Sequence, residues 1–146
     1  MRACVVALAL GGCVPIPSTG SVELPVTAAK FADFDAHLNA ARSAPIAHSA
    51  QLSQIAAAHS ADMQARGYFS HVSPEDQKLG DRFHAGGLKY CKIAENIAQG
   101  QAGEAQVFVG WMNSPAHSKN MLDTSFNSYG IGRVADIWTM VFYKTC

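Results

Sequence analysis

Between Thr27 and Ser43 the apolar residues repeat at helical spacing, with Phe31, Phe34, Leu38 and Ala41 on one face. A helix is expected there, ended by Pro45. A second is expected over residues 49–66, with Ser49 as N-cap and Gly67 just past its end. Its inward stripe is Leu52, Ile55, Ala56, His59 and Met63, and its many alanines suit close packing. Residues 67–80 are rich in turn formers and read as a loop, followed by a short helical turn over 81–85 before Gly86-Gly87. The segment 90–98 is ambiguous; as a strand it sends Cys91, Ile93, Glu95 and Ile97 to one side. A third helix is expected at 101–113, with Ala105, Phe108, Val109 and Met112 inward. Ser114-Pro115 has the form of an N-cap and a first-turn proline opening another. Strand patterns close the chain at 128–134 and 137–143, around a turn at Ala135-Asp136. Helix signals therefore precede strand signals, which implies an α+β domain with a small antiparallel sheet.

The N-terminus carries a different pattern. Met1-Arg2 is a minimal positive start, residues 3–10 are apolar, and Leu10-Gly11-Gly12-Cys13 places two small residues before a cysteine. This is the layout of a secretory signal, and it resembles the bacterial lipobox, whose cysteine becomes the lipidated first residue of the mature protein. The alternative is a buried N-terminal strand in which Cys13 simply packs. The expected organisation is a signal peptide at 1–12, lipidated Cys13 and an extended tether to residue 26, and one domain over 27–146. Residues 14–26 hold three of the chain's six prolines, which favour an extended segment. A lipid on Cys13 would make the membrane a partner and place the protein at the cell envelope. By analogy with the sorting rule of enteric bacteria, Val14 favours the outer over the inner membrane. Without lipidation the protein would be secreted.

Composition narrows the choice. At 146 residues the chain is one domain by default, and 49% hydrophobic content is enough for a packed core. Eleven basic residues balance eleven acidic ones, so nucleic-acid binding driven by bulk charge is excluded. Of the four cysteines, Cys4 would leave with the signal and Cys13 would carry lipid. Cys91 and Cys146 remain, and in an exported chain a disulfide between them is expected, with two buried thiols as the alternative. No C-x-x-C occurs, so a zinc knuckle is excluded.

Several short motifs then fall in series. They are Asn39-Ala40-Ala41-Arg42, Tyr68-Phe69-Ser70-His71, Ala94-Glu95-Asn96-Ile97-Ala98, and Trp111-Met112-Asn113-Ser114-Pro115-Ala116-His117 with Asn120-Met121-Leu122. Gly130-Ile131-Gly132 and Trp138-Thr139-Met140-Val141-Phe142 follow. In this order they resemble the bacterial branch of the CAP superfamily of cysteine-rich secretory, antigen 5 and pathogenesis-related proteins. The resemblance covers residues 30 to 143 and implies a three-layer α-β-α sandwich, an extracytoplasmic location and a cleft lined by two histidines and acidic residues.

Carried over residue by residue, the cleft takes His71, Glu95 and His117, with Ser70, Asn96 and Ser114 flanking it. Ser114 stands where animal and plant members often have a second Glu, so any mechanism that needs two carboxylates is in doubt. Two imidazoles and a carboxylate are a donor set for Zn²⁺ or another divalent cation, with one position open to water. Glu95 is expected to be half buried and to need a partner. His59 is expected as a packed core histidine; His37, His48 and His84 as surface residues. Asn39 and Arg42 are expected to brace backbone, as is Asn96 on the opposite side of its strand from Glu95. Trp111 and Trp138 are expected in the core or the cleft wall. No G-x-S-x-G occurs, so Ser70 and Ser114 do not suggest a serine hydrolase.

The function expected is a monomeric extracytoplasmic binding module, rather than an enzyme. It would present its His/Glu cleft to a small ligand, a metal ion or an envelope component. The alternatives are a metal-dependent hydrolase of peptide or cell-wall substrates, and a structural envelope protein with an inert cleft.

Overall fold

The computed structural model describes residues 31–146. The signal peptide, Cys13 and the tether therefore lie outside the described residues. The chain runs through α1 (Ala32–Ala41), β1 (Ala47–His48), α2 (Ala50–Arg66), α3 (Leu79–Ala85) and β2 (Lys92–Gln99). It continues through α4 (Glu104–Met112), α5 (Pro115–Leu122), β3 (Ser128–Val134) and β4 (Ile137–Lys144).

The sheet has the order β1-β3-β4-β2. β2, β4 and β3 are antiparallel, as expected. The two-residue β1, too short to leave a periodic signal, joins β3 in parallel and makes the sheet mixed. Helices cover both faces, which gives the three-layer α-β-α sandwich. On one face Phe34 and Leu38 of α1, Trp111 of α4 and Met121 of α5 pack on Tyr129, Ile131, Trp138, Met140 and Phe142. On the other, Leu52, Ile55 and Ala56 of α2 and Phe83 of α3 pack on Val141. β4 is buried on both faces, so it reads as a continuous apolar run.

α2 begins at Ser49, whose side chain accepts from the N–H of Leu52. It ends at Gly67, whose φ of 67° is the left-handed conformation that closes helices. Gly130 and Gly132 of β3 face α2. A Cβ on Gly130 would stand 2.2 Å from the Leu52 carbonyl carbon, and one on Gly132 would stand 2.3 Å from the Ala57 nitrogen. The helix therefore lies directly against the strand.

Three details of the sequence reading are corrected. The buried residues of α4 are Val107 and Trp111, while Ala105 and Val109 face solvent and Phe108 and Met112 are only partly covered. The pattern misled because α4 lies on the domain's rim and buries a narrow stripe. Ala41 is exposed, because the chain turns extended at Arg42 and that side chain takes the inward position. His48 is partly buried, with Nε2 bonded to Ser53 Oγ, whereas His37 and His84 are exposed as expected.

Cys91 and Cys146 are disulfide-bonded, joining the residue before β2 to the chain's last residue. Arg42 donates to the carbonyls of Ala44, Met121, Asp123 and Phe126. Asn39 bonds both the N–H and the C=O of Ile46. Both residues thus brace backbone as expected.

Candidate functional site

Glu95 sits mid-strand on β2, turned toward the α2/α3 layer. Its side chain is 3% exposed, so it is buried outright rather than half buried. A buried carboxylate must be paired, and its partners come from three elements. Arg82 of α3 donates from Nη2 to Oε2 over 2.7 Å. His71, from the loop between α2 and α3, meets Oε1 through Nδ1 at 2.8 Å. His59 of α2 brings Nε2 to 3.8 Å from the same oxygen.

The hydrogen bonds fix the imidazole tautomers. A carboxylate only accepts, so His71 Nδ1 carries a proton and its Nε2 lies on the side of the ring away from Glu95. His59 Nε2 donates to the Ser70 carbonyl over 3.0 Å. Arg82 also donates to the His71 carbonyl from both terminal nitrogens, each over 3.2 Å. His59 and Arg82 therefore hold the Ser70-His71 backbone as well as the Glu95 carboxylate.

Asn96 points to the other face of β2, as expected. Its Nδ2 donates to the His117 carbonyl over 3.1 Å, and its Oδ1 accepts from Asn120 over 2.9 Å. This ties α5 to the strand and sets His117 at the third position of that helix. Burial lowers the His117 pKa, and the nearby His71 lowers it further, so the ring is neutral near pH 7. Burial also lowers the His59 pKa, with Arg82 acting in the same direction and Glu95, Ser70 and Asp62 opposing.

His71, Glu95 and His117 thus belong to one neighbourhood, but in unequal roles. Glu95 lies beneath, His71 is 54% exposed at the rim, and His117 lines a cleft of about 320 Å³ with Trp111 and Ser114. The three do not form the expected zinc set. Both oxygens of Glu95 are engaged, one of them by a guanidinium, and among the described residues no group of three or more His, Cys, Asp or Glu is placed to hold a metal ion. Ser114 occupies the N-cap position of α5, yet its side chain makes no capping bond and instead lines the cleft. The exposed Ser70 accepts from the Val72 N–H through Oγ.

Sequence reasoning missed two residues of this cluster. His59 was expected only in the core; it is 2% exposed, but it also faces Glu95. Its place on the inward stripe of α2 masks that second role. Arg82 had no signal beyond the need of a buried Glu95 for a cation.

A profile of the cysteine-rich secretory protein family, CAP, matches residues 35–143. The uncharacterised protein YkwD of Bacillus subtilis is 41% identical over 93 residues, covering 62% of this chain and 36% of its own length. The uncharacterised membrane protein YlbC of the same organism is 34% identical over 91 residues, covering 62% of this chain and 26% of its own. The chain therefore spans only about a quarter to a third of the length of these curated relatives. A crystal structure of an extracellular SCP-domain protein from Bacillus anthracis superposes with a TM-score of 0.74 at 32% identity, covering 77% of this chain and 39% of that one. An outer surface protein of Borrelia burgdorferi shares the fold at 20% identity, with a TM-score of 0.67, 81% of this chain covered and 89% of that one.

Proposed function

The chain belongs to the cysteine-rich secretory protein (CAP) family, and from that premise we propose that it is an extracytoplasmic binding module, anchored at the cell envelope through Cys13, whose cleft offers His71 and His117 to a small polar ligand. The observation that carries this reading is the engagement of Glu95. A hydrolase of the expected kind needs a carboxylate free to take a proton from water or to ligate a metal. Glu95 instead spends one oxygen on Arg82 and the other on His71. The position where other members add a second carboxylate holds Ser114. What remains presented to solvent is recognition chemistry: a neutral His117, an outward His71 Nε2 and the Ser114 hydroxyl.

The envelope location draws support from the Leu10-Gly11-Gly12-Cys13 pattern, and from relatives described as an extracellular protein and a membrane protein. Among the described residues no helix is long and apolar enough to cross a membrane. One mature lipid-modified residue carrying two or three acyl chains anchors firmly, whereas a single chain does not. The mass of the mature protein should show cleavage before Cys13 and added acyl chains; a mature N-terminus elsewhere rejects the anchor.

Labelled casein and purified cell wall, incubated with the protein with and without Zn²⁺, test the binding reading. No cleavage is expected, while the imidazole NMR signals of His71 and His117 shift when soluble envelope fractions are added. Metal-stimulated cleavage that disappears in His71→Ala would replace this reading with the hydrolase.

A further inference from the structure

The cleft beside His117 does not end there. Phe69 and Gln99 line both it and a second hollow of about 230 Å³ that reaches Gln64 and Tyr68, so the two form one trough that starts beside the His117 imidazole. No Asp, Glu, Lys or Arg lines either part. The polar groups are three carboxamides, Gln64, Gln99 and Gln101, with Ser114 and His117. Between the two parts stands Phe69, a large apolar side chain left 47% exposed. Its neighbour Tyr68 is committed elsewhere: its hydroxyl donates to Asp62, and Arg66 lies over its ring at 5.7 Å. Among the described residues no ring packs on Phe69, so it is the free aromatic surface of the trough.

We propose that this trough binds a neutral oligosaccharide, with one sugar ring lying on Phe69 and its hydroxyls bonded by the glutamines. The inference rests on the reading of the cleft as a ligand site and names the class of ligand. A carboxamide offers both an acceptor and two donors, which matches hydroxyl groups that each donate and accept. An aromatic face takes the C–H side of a sugar ring, and a charge-free wall leaves no ion to desolvate. The other occupants fit less well. A peptide adding to the sheet would need the open edge of β2, and that edge is capped. The Ile97 carbonyl accepts from Trp111 Nε1 over 3.3 Å, and the Glu95 carbonyl accepts from Asn120 over 3.5 Å. An acyl chain would strip water from the carboxamides and return no hydrogen bonds, and an anionic headgroup would meet no cation.

The test is NMR titration of the full chain with three probes: chitotriose, its deacetylated cationic form, and an uncharged N-acetyl trialanine amide. Chitotriose should shift the signals of Phe69, Gln99 and Ser114, and the other two should bind more weakly. Phe69→Ala should weaken chitotriose about tenfold, the loss of one aromatic contact. Phe69 is exposed, so that variant keeps the fold; unchanged spectra elsewhere confirm it. Chitotriose without effect, the peptide binding equally well, or affinity unchanged in Phe69→Ala each overturn the inference. If chitotriose fails while His71 and His117 still respond to envelope fractions, the ligand class alone is wrong. If neither responds, the cleft reading falls as well.

Discussion

Arg82 Nη2 stands 2.7 Å from Glu95 Oε2, and both side chains are buried, at 7% and 3% exposure. The same guanidinium holds the His71 carbonyl, so one cation anchors the carboxylate and the loop that carries the rim histidine. Replacing Arg82 with Met would leave Oε2 of this buried carboxylate without its cation, with only the histidines on Oε1. Such losses cost about 3–5 kcal/mol. The double variant Arg82→Met/Glu95→Met should lose clearly less than the sum of the single changes, because neither charge is stranded. Urea denaturation measures both, and a cost below about 1 kcal/mol for Arg82→Met would show that water reaches the pair.

Gly130 and Gly132 should tolerate no side chain. A methyl group at either would enter the backbone of α2, not a flexible side chain that could move aside. The helix would have to lift from the sheet and open the Leu52/Ile55/Val141 cluster. Overpacking of this kind costs about 1–3 kcal/mol or more. Gly130→Ala and Gly132→Ala should each lower the thermal midpoint by several degrees. Gly110→Ala, at an exposed position inside α4 with nothing within 4 Å, serves as the control and should not lower the midpoint.

These close approaches mark what the sequence disclosed and what it hid. α2 was legible to its last turn, because Ser49, the stripe from Leu52 to Met63, and Gly67 agree with one another. The partners of Glu95 were not. A buried carboxylate implies a cation, but which of eleven basic residues supplies it depends on how α3 docks against β2. The face of α4 was misread for a related reason: Val107 and Trp111 point inward because of where the helix sits, and Val109, equally apolar, lies outside. Local pattern determines elements, whereas side-chain partners from distant segments depend on the assembled layers.

Stability should fall on mild acidification. Burial lowers the pKa of both His59 and His117 below the ordinary 6.5. The unfolded chain then takes up protons first as pH drops. The stabilising difference is complete above about pH 6.5 and is lost as pH falls toward the folded-state values. Asp123 acts in a separate window. Lys92 and Ser125 hold its pKa at about 2, so its contribution is lost only below about pH 4. Urea midpoints measured from pH 8 to pH 3 should show two declines. His59→Gln, which can still donate to the Ser70 carbonyl, should flatten the upper one; a level profile between pH 8 and 5 would contradict the assignment.

Arg42 should resist even the substitution that keeps its charge. Its guanidinium reaches four carbonyls: Ala44 just past α1, Met121 in α5, and Asp123 and Phe126 in the turn that leads to β3. Those oxygens diverge around the planar fork of an arginine, whose five donors are fixed in direction. A lysine ammonium has three donors on a shorter reach and would leave at least one buried carbonyl unpaired. Each hydrogen bond to a charged group contributes about 1.5–3 kcal/mol, and an orphaned acceptor adds a penalty. Arg42→Lys should therefore destabilise the fold by about 2–4 kcal/mol. It should act locally: faster amide exchange at residues 121–126, with the Arg82–Glu95 cluster unchanged. If exchange rises equally across α2 and the sheet, Arg42 supports the whole fold and not only this junction.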